Sequence, residues 1–227
     1  MNIPKGSKLS TATIKMGNLI KAFESNEVDV ILHCCNTQPG NMGGFAGVLA
    51  KSFPAVLESD KRTHDTFEKL GTNDWVDINS DQVVVNMYTQ LIGSGYDTSP
   101  RQLTYYSAIY KCLSEALHTI DEAALGRTVN VGMPAIASCR GGAEWFQVWD
   151  MINCIAEELG NVNVVVYVLP DDSSCIDLVL PRGSVYYDVT DDEFYHRRHN
   201  ILISDSDEEV FQLWIPQVNK HNQPSAI

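Results

Sequence analysis

Two short stretches carry the residue types from which an anion site is built. The first, Asn36-Thr-Gln-Pro-Gly-Asn-Met-Gly-Gly-Phe-Ala-Gly47, sets four glycines between an apolar run and a segment of helical character. The second, Ala137-Ser-Cys-Arg-Gly-Gly-Ala143, also follows an apolar run and opens an amphipathic stretch. Glycine lacks Cβ, so an anion can approach the main chain, and the helix that follows adds unpaired N–H groups and the positive end of its dipole. Two such turns facing each other suit a diphosphate; one alone is as readily a tight turn or a cap. Neither has the Gly-x-Gly-x-x-Gly spacing of dinucleotide folds or the Gly-x-x-x-x-Gly-Lys-Ser/Thr spacing of NTPases. For proton transfer the neighbourhood offers His33, Cys35, Cys139 and Glu144. His33 and Cys35 lie inside an apolar run, and a carboxylate at Glu144 is favoured by the helix dipole without any catalytic duty. Asn36 can hold a hydroxyl or orient a water, or can be a turn residue.

The elements that must position these loops alternate between strand and helix. Thr11 to Met16 reads as a strand, Gly17 to Ser25 as a short helix and Val28 to Cys35 as a buried strand. Gly47 to Asp60 reads as a helix that Pro54 kinks or ends. Trp75 to Ile78 and Gln82 to Met87 form two short strands or a hairpin. A long polar loop then leads to a helix over Leu103 to Leu117, with Leu103, Tyr106, Ile109, Leu113 and Leu117 along one side. Thr128 to Ile136 is a second buried strand, Ala143 to Leu159 the helix after the second loop, ended by Gly160, and Val162 to Leu169 the last core strand. This order predicts an α/β fold, and parallel strands would bring both loops to their carboxyl ends, where open α/β sheets bind ligands. From Pro170 onward, acidic runs alternate with strand-like pieces at Val185 to Val189 and Val210 to Ile215. The expected division is a domain over 1–170 and an acidic C-terminal extension over 171–227 that is loose from Gln217.

Composition narrows the partners. Lys and Arg number 16 against 29 Asp and Glu, a formal net charge of −13 that repels polyanions and argues against a nucleic-acid duplex or an anionic membrane. An anionic ligand must therefore be held locally. The opening residues have no apolar leader and no stretch approaches the roughly 18 apolar residues of a spanning helix, so the expected location is cytoplasmic. Six cysteines without a Cys-x-x-Cys pair predict free thiols. His196-Arg-Arg-His199 encloses two cations, and neither a metal nor a cofactor is expected.

Four segments in order resemble the macrodomain family, in the branch of ADP-ribose 1''-phosphate phosphatases and ADP-ribosyl hydrolases. They are Gly17-Asn-Leu19; His33-Cys-Cys-Asn36 with Met42-Gly-Gly-Phe-Ala46; Val84-Val-Asn-Met-Tyr-Thr-Gln90; and Gly132-Met-Pro-Ala-Ile136 with Ser138-Cys-Arg-Gly-Gly-Ala-Glu-Trp145. The resemblance implies a three-layer sandwich, a mixed central sheet flanked by helices, with ADP-ribose or a derivative in a cleft at one end. It assigns ligand contact to Asn18, Leu19, Asn36, Met42, Gly43, Gly44, Phe45, Ala46, Gln90, Pro134, Ser138, Cys139, Arg140, Gly141, Gly142 and Ala143. Asn18 stands where the family has Asp, and Phe45 where it has Ile, so Phe45 either stacks on a ribose or fills the cleft wall. The implied activity is hydrolysis at the distal ribose, as phosphatase or de-ADP-ribosylating enzyme, with Asn36 and Glu144 as candidate catalytic residues. The alternative is a non-catalytic reader or sponge, for which an ADP-ribosylated protein is a further partner.

Overall fold

The computed structural model describes residues 12–64, 67–91, 103–138, 141–169, 185–188, 193–196 and 201–203. The chain begins with β1 (Thr13–Met16), α1 (Leu19–Glu24), β2 (Val30–Asn36), α2 (Gly44–Ser52) and α3 (Pro54–Lys61). A single 3-10 turn (Phe67–Lys69) leads to β3 (Asn73–Asp77), β4 (Val83–Leu91) and β5 (Leu103–Thr104). Then follow α4 (Tyr106–Ala123), β6 (Val129–Pro134), α5 (Trp145–Ala156) and β7 (Val162–Val168).

The core sheet has the order β1-β7-β6-β2-β4-β3. The first five of these run parallel to their neighbours, and β3 closes one side antiparallel to β4. Parallel strands need crossovers, and the helices that make them cover both faces. Val30, Leu32, Val85 and Met87 face the α4 and α5 layer with Leu113, Leu117, Trp145 and Ile152. Ile31 and Val84 face the α1 to α3 layer with Phe23, Leu49 and Val56. That two-sided burial is why VDVILHCC reads as a continuous apolar run instead of an alternating one.

Boundaries differ from the sequence reading in ways that local chemistry explains. Pro54 ends one helix and starts another: α2 stops at Ser52, and Pro54 takes the first position of α3, where its missing N–H is no loss. The long helix starts at Tyr106 and not at Leu103, because Leu103 and Thr104 pair with Leu91 and Gln90 of β4. It continues past Leu117 to Ala123, since Ile120 extends its buried stripe. The expected strand after residue 170 is present as β8 (Val185–Asp188), which meets β1 in parallel through Met16 and Asp188. The sequence reading did not separate β9 (Glu193–His196) and β10 (Ile201–Ile203), which add antiparallel strands beyond it. The polar loop before Leu103, the proposed strand at Val210 to Ile215 and the end from Gln217 lie outside the described residues. Among the described residues no helix is long and apolar enough to cross a membrane.

Gly132 seats α1 on the sheet. A Cβ there would stand 2.5 Å from Leu19 Cδ1 and 3.0 Å from Val28 Cγ1, both side chains buried. Gly132→Ala should therefore lower unfolding free energy in urea by about 1–3 kcal/mol. Unchanged stability would mean that α1 does not lie this close to β6.

Candidate functional site

Strands β1, β2, β4 and β6 all end on the same side of the sheet, so the sequence-predicted residues Asn18, Asn36, Gln90 and Pro134 gather there. A register shift between Cys35 and Asn36 sets Asn36 opposite Gln90, and Thr37 N donates to Gln90 O at 2.9 Å. Both ends of the buried Asn36 amide are engaged within the loop: Nδ2 donates to Asn41 O at 2.5 Å and Oδ1 accepts from Gln38 N at 2.9 Å. Asn36 is thus the staple of its own turn. Gly40, at φ 75°, donates its N–H to Asp60 Oδ2 at 2.7 Å.

Beyond Asn41 the acceptors stop. The N–H groups of Met42, Gly43, Gly44, Phe45 and Ala46 have no acceptor among the described residues, and the first bond of the helix runs from Gly47 N to Gly43 O at 3.4 Å. Gly43 is the N-cap, so no side chain caps α2, and no carboxylate stands in its first turn. Gly44 holds φ 57°, a left-handed value that a side chain would strain. Five successive amides at an uncapped helix start are the donor arrangement that an anion can accept from. Phe45 is half-buried and packs against the α1 to α3 side of the core, its ring 6.2 Å from that of His33.

The second loop has a different economy of donors. Gly141 N donates to Ser138 O at 3.1 Å, Ala143 N to Ala137 O at 3.0 Å, and Glu144 N to the Tyr106 hydroxyl at 2.8 Å. Thr104 Oγ1 donates to Gly141 O. The amides of Gly141, Ala143 and Glu144 are thus engaged, while exposed Gly142, at φ 71°, has no acceptor for its N–H among the described residues. Gln90 links the loops, because its Nε2 lies 2.7 Å from where a Cβ on Gly141 would stand. Cys139 and Arg140 lie outside the described residues. At the other end of the cleft, Asn18 Oδ1 caps α1 by accepting from Ile20 N at 3.0 Å and Lys21 N at 3.2 Å. The acceptor expected for a ligand is thereby occupied, and its exposed Nδ2 remains as a donor.

Of the candidate bases among the described residues, His33 and Cys35 are not set up for proton transfer. His33 Nε2 lies 2.6 Å from Asn86 Oδ1, and burial lowers its pKa to about 4, so the imidazole is neutral at pH 7. Burial pushes the Cys35 thiol well above its ordinary range. Glu144 is the exposed N-cap of α5, and its carboxylate accepts no capping hydrogen bond from the helix N–H groups. Sequence reasoning missed Asp60, Lys69, Tyr88 and Tyr106, which support the loops from distant elements. A charge in an acidic helix and a tyrosine in an amphipathic one give no signal that they reach a loop.

No protein-family model matches the sequence, and no curated protein matches it. Solved structures do match the fold. The macrodomain of Thermus aquaticus DarG aligns with a TM-score of 0.53 at 22% identity, over 69% of this chain and 97% of that one. The macrodomain of Mycobacterium tuberculosis DarG aligns at 0.53 and 21%, over 70% and 97%. Thermosipho africanus DarTG, solved in complex with ADP-ribose, aligns at 0.51 and 16%, over 74% and 46%. The chain has the macrodomain fold that its four segments imply.

His33 makes stability depend on pH. Its folded pKa lies below that of the unfolded chain, so its contribution is complete above about pH 6.5 and is lost as pH falls toward about 4. Between pH 7 and pH 4 the protein should lose about 3 kcal/mol more unfolding free energy than a His33→Gln variant. Equal losses would show that the imidazole is not buried in its neutral form.

Proposed function

We propose that this macrodomain fold binds ADP-ribose or a close derivative across the carboxyl ends of β1, β6, β2 and β4. The observation that carries the reading is the run of five amides from Met42 to Ala46, without an acceptor among the described residues, at the uncapped start of α2. In a protein of net charge −13, those amides can hold a diphosphate or the distal ribose without a cationic surface. Charge-assisted bonds from backbone N–H groups contribute about 1.5–3 kcal/mol each. The ADP-ribose complex of a protein with the same fold supports the choice of ligand. Leu19 and Asn18 would meet the adenine, with the Asn18 amide offering a donor where the family's Asp offers an acceptor. Gln90, Pro134, Ser138, Gly141, Gly142 and Ala143 would line the opposite wall.

Of the two functional readings, the geometry favours a reader of ADP-ribose or of an ADP-ribosylated protein over a hydrolase. General-base catalysis at the distal ribose needs a basic side chain near the cradle. Asn36 is committed to its turn, and His33 and Cys35 are buried in neutral form. Glu144 supports the hydrolytic reading, since its carboxylate is exposed at the mouth of the second loop.

Calorimetric titration of the whole chain with ADP-ribose should give saturable one-to-one binding. Gly44→Val, which places a branched side chain at φ 57° over the cradle, should weaken it at least about tenfold, and the strain of that φ should lower Tm by several degrees while the chain still folds. No heat at millimolar ADP-ribose would refute the assignment. Incubation with ADP-ribose 1''-phosphate and with ADP-ribosylated protein separates the readings. The reader leaves both intact, whereas turnover that disappears in Glu144→Gln would make the chain a hydrolase.

A further inference from the structure

We propose that the buried Asp60–Lys69 ion pair is a positioning device for the anion loop, an inference that rests on the binding reading above. It fixes residues 37–40 so that the amides of residues 42–46 face the cleft together. Asp60 and Lys69 are 1% and 8% exposed. Asp60 Oδ1 accepts from Lys69 Nζ at 3.1 Å and from the Tyr88 hydroxyl at 2.9 Å, while Oδ2 accepts from Gly40 N at 2.7 Å. Lys69 Nζ also donates to Thr63 Oγ1 and, at 3.4 Å, to Thr37 O, and stands 3.8 Å from the centre of the Tyr88 ring. The anion thus holds the N–H at one end of the turn, and the cation holds the C=O at the other.

A buried ion pair gives little net stability compared with apolar side chains of the same volume, so its contribution here is geometric. A fully satisfied polar network is rigid. Asn36 and Asn41 tie the turn to itself, through Gln38 N on Asn36 Oδ1 and Asn41 Nδ2 on Gln38 Oε1, whereas Gln38 and Gly40 are exposed and it is Asp60 that ties Gly40 to the body of the fold. With Thr37 and Gly40 fixed, Asn41 is placed by its N–H bond to Gln38 O and by the Asn36 amide on its carbonyl. The free amides begin at the next residue. The pair touches no ligand and acts through the turn, which makes Asp60 and Lys69 positioning residues.

The test replaces the network as a unit with Asp60→Leu/Lys69→Met/Tyr88→Phe in the whole chain, so that no charge or hydroxyl is left buried alone. Two quantities are read: hydrogen exchange of the ligand-free protein, and ADP-ribose affinity. The expected result is a Tm within about 5 °C of wild type, exchange at the hydrogen-bonded amides of Thr37, Gln38, Gly40 and Asn41 faster by about tenfold or more, and a Kd raised by about tenfold or more. Wild-type exchange at those amides would overturn the proposal. So would a rise spread equally over β6 and β7, because it would assign the network to global stability. The exchange measurement needs no ligand, so it decides the role of the pair even if wild type leaves ADP-ribose unbound, a result that would refute only the binding reading.

Discussion

Strand β2 lies between β6 and β4 and runs parallel to both. Parallel pairing forces each of these strands to end on the same side of the sheet, and it forces a helix to carry the chain back over one face or the other. The glycine loop after β2, the loop after β6 and Gln90 at the end of β4 are neighbours for that reason alone. The hydrophobic core that makes the pairing stable is built from the same strands, with Leu32 and Val85 on one face and Ile31 and Val84 on the other. Position at the cleft and burial in the core are thus consequences of one strand order, with a register shift after Cys35 that sets Asn36 opposite Gln90.

Within that frame the two loops divide the work. The loop after β2 spends its hydrogen bonds on its first half, through Asn36 and Asp60, and leaves its second half open as donors. In the loop after β6 the described amides of Gly141 and Ala143 are spent within the loop and that of Glu144 on Tyr106. An acidic protein gains from this arrangement, because the partial positive charge of main-chain amides is short-ranged and does not depend on the sign of the surface. The two full charges that do lie beneath the loop neutralise each other, so they add rigidity there without adding field.

Much of the frame was legible in the sequence, and the reason differs by element. VDVILHCC could be read as a doubly covered strand because apolar residues fill both of its faces. The loop from Asn36 to Gly47 was visible because glycines cluster where a strand turns into a helix. Leu103 misled because it falls in phase with the apolar stripe of α4 while pairing with β4, and periodicity carries no information about strand partners. The closure of the second loop was hidden because its partners, Thr104 and Tyr106, are remote in sequence. Asp60 and Lys69 were hidden for a related reason: charged residues in a polar stretch read as solvated until the fold places a backbone amide and a carbonyl against them.

The central claim is that the amides at the start of α2 meet the ligand, and amide chemical shifts of the isotope-labelled protein under ADP-ribose titration test it most directly. The account predicts saturable shifts concentrated at Met42 to Ala46 and at Gly142, with the far ends of β6 and β7 near Asn130 and Asn163 unmoved. Unchanged shifts across Met42 to Ala46, with or without changes elsewhere, would contradict it.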